Sequence, residues 1–164
     1  MNVRQLGYRF EKQWQETLNR EFEWVYKLPD ARAMKGFNMP YAPKVVCDFI
    51  AVDRTGLTHY FECKQTAKTA LDFKAIKEHQ LRDLCFLQRN GVPAYFIINF
   101  NNRKRGKERR NVLYKVKALQ LLRAQILYSK TRVSIPINWF EQNCEKYKWI
   151  KKGEEYGWYR NSIS

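Results

Sequence analysis

Two carboxylates and one amine lie in a pair of apolar segments, where charged side chains are uncommon. Asp48 interrupts the run 45–51 (Val-Val-Cys-Asp-Phe-Ile-Ala), and Glu62 and Lys64 belong to the run 59–65 (His-Tyr-Phe-Glu-Cys-Lys-Gln). Successive side chains of a strand point to opposite faces, so Glu62 and Lys64 share one face and the residues beside them take the other. The spacing therefore predicts a carboxylate and an ammonium group on one side of a sheet.

The segment between the two runs is a turn signal, Asp-Arg-Thr-Gly at 53–56, and it predicts an antiparallel hairpin. Such a hairpin brings Asp48 close to Glu62, with the ammonium of Lys64 beside them. Carboxylates suit Mg²⁺ or Mn²⁺, and one or two suffice because substrate and water complete the shell. The metal would activate water, and Lys64 would orient that water or stabilise the transition-state anion. The residues thus predict phosphodiester hydrolysis.

A purely structural role is the alternative for these residues. Exposed strands often alternate Glu and Lys, and a cross-strand pair of Glu62 and Lys64 would contribute under about 1 kcal/mol. Asp48 is harder to explain in this way, because burying a lone carboxylate is unfavourable unless a cation compensates. Together with the charge of the chain, the three residues favour a metal site.

The charge of the chain indicates a polyanionic partner. The 164 residues include 31 Lys and Arg against 16 Asp and Glu, which gives a net charge of +15 and favours nucleic acid. An anionic membrane surface is second, because the chain lacks an amphipathic basic helix. The segment 101–110 is expected to be a phosphate-contacting loop, with a solvated loop tip as the alternative. Its basic residues are Arg103, Lys104, Arg105, Lys107, Arg109 and Arg110.

Length and composition predict one domain, residues 1–164, that buries about 70% of its unfolded surface. No apolar run approaches the ~20 residues of a membrane helix, and the first residues lack a secretory signal. We therefore expect a cytoplasmic protein. The four cysteines are widely spaced, which suits buried thiols in a reducing compartment and disfavours structural zinc.

Helices and strands are expected to alternate along the chain, as in an α/β layered domain with a central sheet. Helical spacing and end signals predict helices over 7–23, 73–89 and 118–127. Strands are predicted at 24–26, 45–51, 59–65, 94–100 and 112–116, with a short closing hairpin around 153–159. The segment 31–44 carries Gly and two Pro and is interpreted as a projecting loop or short stalk.

The candidate residues belong to a longer, ordered set of motifs. Residues 7–11 read Gly-x-x-(apolar)-Glu, 61–66 read Phe-Glu-Cys-Lys-Gln-Thr, 73–81 contain Phe…His-Gln-Leu, and 134–136 read Ser-Ile-Pro. With Asp48 across the hairpin, this order resembles the RecU-type Holliday junction resolvases of the PD-(D/E)xK nuclease superfamily. The likeness extends over most of the chain.

This resemblance implies a restriction-endonuclease-like fold, α/β with a central mixed sheet flanked by helices. It implies a homodimeric, Mg²⁺-dependent endonuclease, with Mn²⁺ able to substitute, that resolves four-way DNA junctions by paired hydrolysis in recombination and repair. The catalytic residues implied are Asp48, Glu62, Lys64 and Glu11, although Glu11 could equally be a solvated helix residue. The metal set implied is Asp48, Glu62 and Cys63.

The resemblance also implies DNA contacts by Gln65, Thr66 and Gln80, by Arg32 and Lys35 of the stalk segment, and by the basic loop. The stalk segment is shorter and less basic than the stalk of the family, which leaves junction selectivity open. Two alternatives therefore stay beside the resolvase: another PD-(D/E)xK endonuclease, restriction-like or acting at forks or in repair, and a non-catalytic nucleic-acid-binding module.

Overall fold

A computed structural model of the chain describes residues 3–29, 44–102 and 110–161. Its helices are α1 (Val3–Glu21), α2 (Glu78–Arg89), α3 (Ala118–Ser129) and α4 (Ile137–Asn143). Its strands are β1 (Trp24–Lys27), β2 (Phe49–Val52), β3 (Thr58–Thr66), β4 (Ala70–Asp72), β5 (Ala94–Asn102), β6 (Arg110–Lys117), β7 (Ser134–Pro136), β8 (Glu145–Lys152) and β9 (Glu155–Arg160). No helix within the described ranges is long and apolar enough to cross a membrane.

A mixed sheet of seven strands, in the order β1-β2-β3-β5-β6-β8-β9, forms the middle layer. β3 and β5 are parallel, and the other neighbouring strands are antiparallel. β4 and β7 form a separate antiparallel ladder. A mixed sheet between helices confirms the predicted α/β fold class.

The sheet has a core on each face. On one face, α1 buries Phe10, Trp14 and Leu18, which recur every four residues as one helical stripe must. The other face is covered by a cluster that includes Leu84 of α2 and Leu121 of α3. Since β5 lies between these two layers, its run of apolar residues is buried on both sides.

The helix predicted over 73–89 begins later than the sequence indicates. A 3-10 turn covers Phe73–Ala75, after which Ile76 and Lys77 adopt extended backbone angles, and α2 starts at Glu78. Ile76 is buried in the core, as the helical prediction also expected, so the break changes the backbone but not the burial of this side chain.

The closing hairpin predicted around 153–159 is present and is longer than expected. It consists of β8 and β9, and it joins the main sheet through β6. Buried Tyr147 and Trp158 explain this, because both side chains pack beneath α1. In α3 the buried positions are Ala118, Leu121 and Ala124, whereas Ile126 is exposed.

Candidate active site

Asp48 lies just outside the strand that the sequence predicts for it. The run 45–51 becomes strand only from Phe49, and Asp48 sits in a bend. Cys47 packs in the core on the α2 side and Phe49 in the core under α1, so regular alternation fails at this point. The predicted strand is therefore too long at its start, although Asp48 still lies beside β3.

Hydrogen bonds from both neighbouring strands hold Asp48 in place. Its N–H donates to the carbonyl of Phe61 over 3.0 Å, and its carbonyl accepts from the N–H of Leu28 over 2.8 Å. The carboxylate oxygen Oδ2 accepts from the N–H of Cys63 over 2.7 Å. The side chain is thus anchored at the middle of β3, at the level of Glu62.

Glu62 and Lys64 share a face of β3, as their spacing predicts. The side chain of Glu62 is 2% exposed, and its Oε1 lies 2.5 Å from the Nζ of Lys64. Lys64 also donates to the Oε1 of Gln80 over 3.1 Å. Gln80 is buried on the first turn of α2, so that helix closes the site from above the sheet. The structure therefore brings Asp48, Glu62, Lys64 and Gln80 together.

The two carboxyl groups lie in an environment that disfavours negative charge. Burial, together with the charges of Glu62 and Glu11, raises the pKa of Asp48 to about 8, although the N–H of Cys63 and the charge of Lys64 oppose this. Burial also raises the pKa of Glu62, opposed by Lys64, Lys77 and Gln80. A bound cation would remove this penalty, because it compensates both charges at once.

The donor set fits a hard cation such as magnesium. Among the described residues, no donor satisfies the buried Oε2 of Glu62, although Gln80 lies close enough to the carboxyl group to lower its pKa. Within the described ranges, no group of three or more His, Cys, Asp or Glu side chains converges. Asp48 and Glu62 are the residues that could hold such an ion, with water and phosphate oxygens as the remaining ligands.

The thiol of Cys63 does not reach this set. Cys63 follows Glu62 on β3, so its side chain points to the opposite face and packs in the core under α1. Complete burial, together with the charges of Asp48 and Glu62, raises the pKa of the thiol well above its usual value. The thiol therefore lies away from the two carboxylates, the N–H of Cys63 donates to Asp48, and a metal-binding role for Cys63 stays a prediction.

Glu11 lies within electrostatic reach of the site but is paired elsewhere. Its Oε2 lies 2.7 Å from the Nζ of Lys27, the last residue of β1. Its charge nevertheless contributes to raising the pKa of Asp48. A catalytic role for Glu11 stays a prediction. Sequence reasoning missed Lys27, which lies outside the motifs, and Lys77, which is not one of the matched positions of 73–81, because only the folded chain brings them near the carboxylates.

The predicted DNA-binding residues are only partly described by the structure. Thr66 uses its hydroxyl to accept the N–H of Lys68, and Gln65 lies on the opposite face from Lys64 with Oε1 buried and unpaired. Arg110 opens β6. The remaining predicted residues lie outside the described ranges: Arg32, Lys35, Arg103, Lys104, Arg105, Lys107 and Arg109.

A family model described as "RecU: Recombination protein U" matches residues 33–154, which is more than half of the chain. The chain belongs to the RecU family. This confirms the family inferred from the motifs, and the helix-flanked mixed sheet agrees with a restriction-endonuclease-like fold. The match contains Asp48, Glu62 and Lys64 but begins after Glu11. A comparison with curated proteins finds no match.

Membership of the RecU family supports a nuclease role in resolving Holliday junctions. DNA junctions are accordingly the substrate class that the family implies for this chain.

Proposed function

We propose that this RecU-family protein is a Mg²⁺-dependent endonuclease that cuts two strands of a four-way DNA junction as a homodimer. One observation carries the proposal. Asp48, Glu62 and Lys64 meet on one face of β3, and the buried Oε2 of Glu62 has no partner in the described part of the chain. Of the polar groups in such a site, an unpaired buried carboxylate oxygen is the one that a cation would satisfy best.

A magnesium ion held by Asp48 and Glu62 would supply Lewis acidity and neutralise charge that grows on the phosphate. The residues of the chain do the positioning. Gln80 accepts a hydrogen bond from Lys64 and thereby directs its ammonium group, which has further N–H donors for water or a phosphate oxygen. The N–H of Cys63 orients one oxygen of Asp48, so the carboxylate is set before substrate binds.

Positive charge near the site supports binding of the DNA backbone. Lys77, which precedes α2, is close enough to Glu62 for its positive charge to oppose the rise in the pKa of Glu62 that burial causes. The basic segment 103–109 lies outside the described ranges, and its charge alone supports the proposal that it contacts phosphates.

Paired hydrolysis requires two active sites, and each chain has the residues for one. A four-way junction that is cut symmetrically presents two equivalent strands, so a two-fold homodimer is the simplest assembly that reaches both. Sedimentation or light scattering of the free protein measures its mass directly. A monomer that stays monomeric on the junction would contradict paired cutting by a dimer.

Cleavage of a labelled four-way junction, with and without Mg²⁺, tests the proposal. We expect Asp48→Asn and Glu62→Gln to abolish cutting while junction binding is kept, because both substitutions preserve side-chain volume. The matched controls are Asp83→Asn on α2, whose half-buried carboxylate pairs with Arg82, and Glu141→Gln on α4, whose exposed carboxylate pairs with Lys146. Both should cut like the wild type.

The outcomes separate the three candidate functions. Cutting of the junction with little cutting of matched linear duplex and single strands supports a resolvase. Equal cutting of duplex would instead indicate another DNA endonuclease of the PD-(D/E)xK type, and binding without metal-dependent turnover would indicate a binding module. Normal cutting by both Asp48→Asn and Glu62→Gln would show that the site is elsewhere.

A further inference from the structure

Two aromatic side chains stand side by side on the edge strand β1 and face solvent. Trp24 is 51% exposed and Tyr26 is 49% exposed, whereas Val25 between them packs against the core under α1. The two rings are parallel within 4°, and their centroids are 5.8 Å apart. We call this pair the Trp24–Tyr26 platform. Exposed aromatic surface of this size on an edge strand indicates a binding site, since burying it against a ligand lowers the free energy.

The platform lies on the face of the sheet that carries the carboxylates. Tyr26 pairs with Ile50, and Ile50 pairs with Tyr60. Tyr60 is two residues before Glu62, so the side chains of Tyr26, Tyr60 and Glu62 share one face. Strand spacing of about 4.8 Å and a rise of about 3.4 Å per residue put the backbone of Tyr26 ~12 Å from that of Glu62. DNA bound at the carboxylates would pass within reach of the rings.

A second copy of the chain is a poor occupant for the platform by itself. An aromatic side chain offers about 150–250 Å² in full, so two half-exposed rings offer roughly that area together. A stable protein interface buries about 800 Å² on each partner. A nucleobase is closer in size to the platform, and its flat face matches a flat ring, which any of the four bases can provide.

We propose that the Trp24–Tyr26 platform stacks a base of the DNA strand that is cut, three or four nucleotides from the cleaved bond. The proposal rests on the proposed nuclease function and extends it to substrate choice. The nucleotide count follows from the ~12 Å separation and a rise of about 3.4 Å per nucleotide. Bases within intact duplex are already stacked on each other, whereas unstacking a base beside a branch point requires less free energy. The platform would therefore favour branched DNA.

Photo-crosslinking tests the contact without relying on turnover. Glu62→Gln protein is bound to junctions that carry one 5-iododeoxyuridine at each of the positions one to six nucleotides from the cleaved bond. We expect crosslinks at positions three and four, mapped by mass spectrometry to the peptide that contains Trp24 and Tyr26. Crosslinks spread evenly over all positions, or absent from this peptide, would overturn the proposal.

Substitution tests the contribution of the rings to affinity and selectivity. We expect Trp24→Leu and Tyr26→Leu each to weaken junction binding about tenfold, with duplex binding unchanged, because leucine keeps an apolar surface but cannot stack. Trp24→Phe and Tyr26→Phe should retain most of the affinity. Tyr156→Leu is the matched control, since Tyr156 is equally exposed and stacks on Trp149 at the opposite edge of the sheet.

Each contrary result identifies a different occupant. Leucine variants that bind junctions normally but lose dimer mass would show that the rings face a second copy. Leucine variants that melt at lower temperature with unchanged junction affinity would show that the rings pack against the same chain. Either result overturns base stacking. If the wild-type protein fails to cut any DNA, the nuclease proposal fails, while crosslinks from junction DNA to the peptide that contains Trp24 and Tyr26 still report the stacking contact.

Discussion

Replacing Asp48 by Asn should make the metal-free protein more stable at alkaline pH while abolishing cleavage. The pKa of Asp48 is raised from its ordinary 3.8 to about 8 in the fold, chiefly by burial. Between these values the native protein keeps a proton that the unfolded chain has released. The free energy of unfolding therefore falls as pH rises through this window and levels off above pH 8. Asn carries no charge at any pH and can still accept the N–H of Cys63.

The size of the effect follows from the shift. One pKa unit corresponds to about 1.36 kcal/mol, so a shift of about four units sets a ceiling of ~6 kcal/mol. Asp48 keeps part of its surface in contact with water, and solvent screening reduces this to about 3 kcal/mol. We expect Asp48→Asn and wild type to be equally stable near pH 4, and the variant to be more stable by ~3 kcal/mol at pH 8.5.

Urea denaturation at a series of pH values in EDTA measures this difference, with Asp83→Asn as the control for loss of a half-buried carboxylate. A repeat with Mg²⁺ or Mn²⁺ at pH 8.5 should stabilise the wild type and leave Asp48→Asn unaffected, because only the wild type keeps both ligands. The reasoning is refuted if the variant is less stable than wild type at pH 8.5. A constant difference from pH 4 to pH 8.5 refutes it as well.

Three further substitutions test other parts of the site and the core. Lys64→Met should lower the rate of cleavage at least 100-fold and destabilise the fold by about 2–3 kcal/mol, measured by cutting assays and urea denaturation, because the buried carboxylate of Glu62 loses its partner. Gln80→Leu should lower kcat by roughly tenfold, since Gln80 directs Lys64 and also lowers the pKa of Glu62 through a hydrogen bond. Phe140→Ala should destabilise the protein by about 3–5 kcal/mol, because its fully buried ring packs on Phe100 and Tyr114. Ile126→Ala, at an exposed position of α3, is the matched control and should change stability by no more than about 0.5 kcal/mol.

Side-chain period explains why much of the site could be predicted. Glu62 and Lys64 are two residues apart, and side chains two residues apart in a regular strand always lie on the same face of the sheet. The four-residue spacing of Phe10, Trp14 and Leu18 likewise determines which side of α1 is buried. Where one local side-chain period determines which face is buried, the sequence alone is sufficient to predict the structure.

Features that depend on distant segments could not be predicted in this way. The ladder of β4 with β7 joins residues about sixty positions apart, and each strand has only three residues, which is too few for alternation to predict a strand. The extended backbone at Ile76, four residues after β4, likewise has no signal in the sequence. Pairing of Glu11 with Lys27, instead of with the carboxylates, also depends on how α1 lies over β1.

The position of Asp48 shows how hydrogen bonds can fix a side chain in an irregular segment. If the strand had continued through Asp48, one slip of register would turn the carboxylate into the core. Instead, Asp48 is tied to Leu28, Phe61 and Cys63 through its own N–H, carbonyl and carboxylate. Because of the bend, Cys47 and Phe49 pack in the cores on opposite faces of the sheet. The three hydrogen bonds fix the position of Asp48, which regular strand pairing would otherwise have fixed. The carboxylate is therefore positioned by its partner on β3 and not by the regularity of β2. Alternation in a hairpin correctly predicted that Asp48 lies near Glu62, but it incorrectly predicted that Asp48 belongs to a strand.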